Sequence, residues 1–166
     1  MEHNAKETGC DARDGAALEG PVTLEIVGGD GEIVNCHEGQ CYYKNGHHYI
    51  LFAEELAEDG KKGNVTYSSR LKISEKEVRL RRSLPGTNGS PRAHVMEFVY
   101  LLREEGERGC LVDYPTPYGT LSLEILTKEL TVERREAELL AKIRYVMLQE
   151  GREINQGSLR ISIRRA

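Results

Sequence analysis

The feature that most constrains this chain is the recurrence of tight-turn residues between short alternating segments. Gly29-Asp30-Gly31, Asn45-Gly46, Asp59-Gly60, Ser74-Glu75-Lys76 and Asn88-Gly89 follow one another at intervals of about fifteen residues. Asn-Gly and Asp-Gly supply the positive φ that a tight hairpin turn demands and most side chains resist. Further breaks stand at Glu105-Gly106, Pro115 to Gly119, Glu150-Gly151 and Gln156-Gly157.

Between these breaks the chain alternates as half-buried strands do. Val22, Leu24 and Ile26 oppose Thr23 and Glu25; Val65, Tyr67, Leu71 and Ile73 oppose Thr66, Ser68, Arg70 and Lys72. Leu159, Ile161 and Ile163 oppose Ser158, Arg160, Ser162 and Arg164. The expected fold is all-β, an antiparallel barrel of about eight to ten strands. Tyr49 to Ala53 is apolar on both faces, which predicts a strand covered by the core on one side and by a neighbouring element or subunit on the other. A homodimer meeting on the face around Ile50 and Phe52 is therefore one expected partner.

Arg134 to Glu150 obeys two patterns. Its Ala, Leu, Glu and Arg content favours a helix by propensity, and Leu139, Ile143, Val146 and Met147 fit helical spacing. Leu139, Ala141, Ile143, Tyr145 and Met147 fit a strand equally well. The rival fold is α+β, a curved sheet with one helix at 134–150.

The length of 166 residues suits one domain that folds without metal or disulfide. Five acids against Lys6 and Arg13 give residues 1–20 a charge of −3, out of −4 for the chain. The expected organisation is an acidic, flexible leader over 1–20 and a single barrel over 21–166. Its nearly neutral body has no overall charge to draw it to nucleic acid or to an anionic membrane. The leader lacks the apolar stretch of a signal peptide, and no apolar run approaches the ~20 residues of a membrane span. These absences predict a cytoplasmic protein whose four cysteines are reduced thiols.

Arg82 shares strand parity with Val78 and Leu80, which turns its guanidinium inward, where a lone charge is costly. Glu54, in phase with Phe52, is its expected carboxylate partner; Glu77, Arg79 and Arg81 face outward. Tyr114-Pro115-Thr116-Pro117-Tyr118-Gly119 makes a stiff corner whose tyrosines offer aromatic faces and hydroxyls at a barrel mouth. Cys36, His37 and Cys41, with His47 and His48, gather soft ligands without the paired spacing of a structural zinc site, and read as a solvated hairpin loop. No metal or cofactor is expected. His94, in phase with Met96, Phe98 and Tyr100, is a candidate base without a nucleophile elbow to serve. Gly28 to Gly31 leads into another alternating segment, so it reads as a hairpin, not a phosphate loop. Arg79, Arg81, Arg82 and Arg92, and again Arg160, Arg164 and Arg165, form basic patches with no interleaved aromatics, so RNA is not the expected partner.

The segment Tyr114 to Leu126, YPTPYGTLSLEIL, followed by Thr127, resembles the signature of the YwiB-like family, a bacterial domain of unknown function. Phe52 to Glu55, Val78 to Ser83, Met96 to Phe98 and Ile143 to Tyr145 match in order around it, so the resemblance runs from Val22 to Ile163. It implies a calycin-like β-barrel and makes 134–150 mostly strand, since sheet packing overrides helix propensity. The chain departs from the pattern at Ser83 and the long loop that follows. It has no tryptophan, which argues against a true lipocalin.

The functional expectation is a barrel that binds one small molecule, anionic if Arg82 receives it, near Glu54, Arg82, Tyr114 and Tyr118. The competing readings are an interaction or homodimerisation module with a filled barrel, and an enzyme using Glu54 or His94 with Arg82.

Overall fold

A computed structural model describes residues 17–29, 31, 33–57, 64–84, 94–104, 106–116 and 118–166. Among these there is no helix. Ten strands follow in chain order: β1 (Gly20–Gly28), β2 (Ile33–Lys44), β3 (His47–Ala57), β4 (Asn64–Ile73), β5 (Glu77–Leu84), β6 (His94–Leu101), β7 (Cys110–Thr116), β8 (Gly119–Arg135), β9 (Glu138–Gln149) and β10 (Arg152–Arg165). They form one antiparallel sheet in the order β6-β5-β4-β3-β2-β1-β10-β9-β8-β7. Two meanders thus meet where the first strand pairs with the last, Leu24 opposite Ile163. The sheet curls until β6 lies against β7 and β8, and a parallel bridge from Leu102 to Thr127 marks the seam. The result is a nearly closed barrel. No helix among the described residues is long and apolar enough to cross a membrane.

The turn chemistry accounts for the hairpins. Asn45 and Gly46 both take positive φ, at 53° and 82°, between β2 and β3; Glu150 and Gly151 do the same, at 52° and 80°, between β9 and β10. The turns expected at Asp59-Gly60 and Asn88-Gly89, residues 1–16 with Cys10, and Arg92 lie outside the described residues. Inward positions are buried as the alternation requires. Val22, Leu24, Ile50, Leu71, Ile73, Val78, Ile143 and Ile163 are at most 1% exposed.

Three expectations are corrected, whereas the strand expected over 134–150 is present and the rival helix is absent: Arg134 and Arg135 finish β8, and β9 pairs with β8 on one side and β10 on the other. With ladder partners on both sides, its backbone groups are satisfied as strand, which outweighs a propensity of a few tenths of a kcal/mol per residue (~0.5). The break expected at Gln156-Gly157 is continuous strand; a Cβ on Gly157 would meet the Tyr145 ring at 2.7 to 3.2 Å, so this glycine makes room for an aromatic, not for a turn. Ile50 and Phe52 do not form an outer face. Both point into the core, at 0% and 7% exposure, and the outward residues of that strand are Leu51 and Ala53. The loop expected at Cys36 to Cys41 lies within β2, where the two cysteines point to opposite faces, Cys36 to solvent and Cys41 to the core.

Candidate functional site

Three neighbouring strands bring a polar set together on the inner wall. Phe52 of β3 pairs with Ser69 of β4, and Ser69 with Arg82 of β5. Glu54 lies one inward position beyond Phe52. Arg82 grips it through two atoms: Nε donates to Oε1 at 3.0 Å and Oε2 at 3.3 Å, and Nη2 donates to Oε2 at 3.0 Å. The Ser69 hydroxyl donates to Oε1 at 2.8 Å. Such a planar fork fixes both partners in orientation as well as in energy. The Arg82 guanidinium also lies over the Phe98 ring, 5.6 Å from its centroid, within the range of a cation–π contact.

The pair is asymmetric in access. The Glu54 side chain is 4% exposed and that of Arg82 is 21%. The carboxylate is therefore sealed while the arginine side chain keeps some access to solvent, and its hydrogen bonds among the described residues use Nε and Nη2. Tyr100, buried on β6, has its hydroxyl pKa pushed up by burial and by neighbouring Tyr145, partly offset by Arg82. The Tyr100 and Tyr145 rings lie 5.5 Å apart.

Two further inward-facing polar atoms are buried without partners. His37 pairs with Leu24 on the inward side of β2, its ring 5.2 Å from that of Phe52, and its Nε2 is buried with no hydrogen bond. Thr127 Oγ1, at the seam, is in the same condition. An unsatisfied buried donor or acceptor costs about 1–3 kcal/mol. The sequence reading assigns Thr127 no role and places His37 in a solvated loop. Alternation of His37 with Gly39 and Cys41 was the available signal, hidden by reading that stretch as a loop.

The other mouth is also polar. His48 is 3% exposed, its ring 4.6 Å from that of Tyr43, while the Arg134 guanidinium lies 5.3 Å from the Tyr43 centroid. Burial, and then the Arg134 charge, hold the His48 pKa down at about 4. These residues border a cleft of about 430 Å³ with Ser74 and Glu75.

Of the four residues expected to bind a ligand, the structure brings Glu54 and Arg82 together. Tyr114, on β7, is 41% exposed, and Tyr118, on the turn into β8, is 99% exposed. His94 begins β6, but its side chain lies outside the description. His47 Nδ1 makes a hydrogen bond with the carbonyl of Asn45 at 2.9 Å. Cys41 donates from Sγ to the Leu18 carbonyl at 3.4 Å, and burial followed by Glu19 pushes its thiol pKa up to about 11. That thiol stays protonated and is not a nucleophile.

A family model described as a domain of unknown function (DUF1934) matches residues 22–161. The crystal structure of the YwiB protein from Bacillus subtilis aligns with a TM-score of 0.64, over 93% of this chain and 98% of that one, at 22% sequence identity. That likeness is one of fold. No curated protein matches.

Proposed function

The chain belongs to the DUF1934 family, a domain of unknown function, and we propose that it is a binding barrel that receives one small polar molecule against the Glu54–Arg82 pair. The observation that carries this reading is Arg82 itself, its guanidinium anchored by a buried carboxylate while the side chain keeps 21% exposure. An enclosed ion pair repays its desolvation only when its remaining donors are satisfied as well. Here the hydrogen bonds among the described residues leave Nη1 over as a donor, with the Phe98 ring beneath the guanidinium and the unpartnered Nε2 of His37 on the same inner surface.

Glu54 neutralises Arg82, so the pair offers no net positive charge. That shifts the ligand from a simple anion to an uncharged or zwitterionic molecule bearing a hydrogen-bond acceptor. A small-molecule panel read by thermal shift on the native chain and on Arg82→Ala tests the assignment. Compounds that stabilise the native barrel lose their effect in the variant; equal stabilisation of both removes Arg82 from the site.

A second reading, self-association, draws on Leu51, 44% exposed beside Ala53 on the outer side of β3. Sedimentation at several concentrations decides it: a mass that rises with concentration, and falls back in Leu51→Ser, is the expected outcome. A constant monomer mass excludes it.

A further inference from the structure

Lys142 on β9 and Arg160 on β10 stand directly opposite each other on the outer surface of the barrel, both exposed. Residues so placed have Cβ atoms about 5 Å apart, and like charges there destabilise a sheet. Among the described residues neither cation takes part in an ion pair. Glu129, which lines the same groove, is paired with Arg144 at 3.3 Å, and Glu138 is paired with Arg164 at 3.2 Å. Thr131 pairs with Lys142 on one flank, and Val27 with Arg160 on the other. The four residues form one row, hydroxyl to cation to cation to apolar.

This row crosses a groove of about 480 Å³ that Ser158 and the backbone at Gly29 also line. The groove wall is braced at that end: Gly29 N donates to the Ser158 carbonyl at 3.0 Å, and Ser158 Oγ donates to the Gly29 carbonyl at 3.0 Å. Two unneutralised cations held side by side on paired strands are poorly placed for stability and well placed for one dianion. A guanidinium fork and an ammonium together match a tetrahedral phosphoryl group better than a planar carboxylate, since three oxygens can be met at once.

We propose that Lys142 and Arg160 form an anion site for the phosphoryl group of a small organic phosphate, with Thr131 as a further donor and Val27 beside the organic body. The site lies on the opposite face of the sheet from the Glu54–Arg82 pair and does not depend on it.

Titration calorimetry on the full chain at constant ionic strength, with ribose 5-phosphate, inorganic phosphate and ribose as probes, tests the proposal. Saturable binding of ribose 5-phosphate, weaker binding of inorganic phosphate and none of ribose are expected. Lys142→Gln and Arg160→Gln each weaken it at least about tenfold, the loss of one charge-assisted hydrogen bond. Without ligand, both variants melt higher than the native chain because the repulsion is gone; Arg82→Ala binds the phosphate as the native chain does. Absence of saturable heat, equal affinity for the two phosphates, unchanged affinity in the glutamine variants, or loss in Arg82→Ala alone would each overturn it.

Discussion

Arg82 reaches Glu54 across an intervening strand, and Ser69 on that strand donates to the same carboxylate at 2.8 Å. Three strands of the inner wall are thereby tied through side chains as well as through their backbone ladder. A buried carboxylate held by one fork and one hydroxyl is a position that packing alone does not explain.

Removing one partner leaves the other exposed to the full cost of burial. Arg82→Ala strands Glu54 and is expected to lower stability by about 2 kcal/mol, below the ~3–5 kcal/mol of a fully enclosed pair because the guanidinium is partly solvated. Glu54→Leu combined with Arg82→Met restores most of that loss. Urea unfolding of Glu54→Leu, Arg82→Met and their double variant measures the cycle; additive losses would show that the two side chains do not cooperate.

His48 makes stability depend on pH. Its folded pKa of about 4 lies below the unfolded value of 6.5, so the unfolded chain binds the proton first. This contribution is complete above pH 6.5 and declines as pH falls toward 4, by on the order of 3 kcal/mol. His48→Phe keeps a ring beside Tyr43 and flattens that slope in urea unfolding between pH 7 and pH 4. An unchanged slope would assign the acid sensitivity to other groups.

The facing of β3 is tested by neighbours of opposite parity. Ile50→Ala empties a fully buried position and costs about 2–5 kcal/mol, whereas Leu51→Ala costs under about 1 kcal/mol. Comparable losses in the two would mean that the outer side of β3 is covered in solution.

Gly157→Ala drives a methyl group against the Tyr145 ring, which Tyr100 backs at 5.5 Å. The expected loss is about 1–3 kcal/mol. Introducing Tyr145→Leu in the same chain recovers part of it, which thermal melts of the single and double variants would reveal.

Local chemistry made the strands legible. Turn glycines and asparagines fall where hairpins need positive φ, and period-two runs such as Val22 to Ile26 and Leu159 to Ile163 carry their own facing. Legibility failed where both faces are apolar, as at Tyr49 to Ala53, because alternation then assigns no inside. At Arg134 to Glu150 the pattern alone leaves helix and strand open; the family resemblance points to the strand, which ladder partners on both sides hold.

The candidate sites divide in the same way. Parity along each strand singled out Glu54 and Arg82 as an inward pair. Lys142 opposite Arg160 depends on the register between two strands, which neither strand's own pattern encodes. His48 and His37 are obscured for another reason: the stretch around them contains ligand-type residues that mimic a loop, although His48 is in phase with buried Ile50 and His37 with Gly39 and buried Cys41.

The central claim, that the Glu54–Arg82 pair is where a small polar molecule binds, is tested most directly with the charge-free double variant Glu54→Leu/Arg82→Met. Calorimetric titration of that variant and the native chain with the compound giving the largest thermal shift separates binding from folding. The account predicts saturable binding to the native barrel and none to the double variant, which still melts cooperatively. Equal affinity in the two would contradict it.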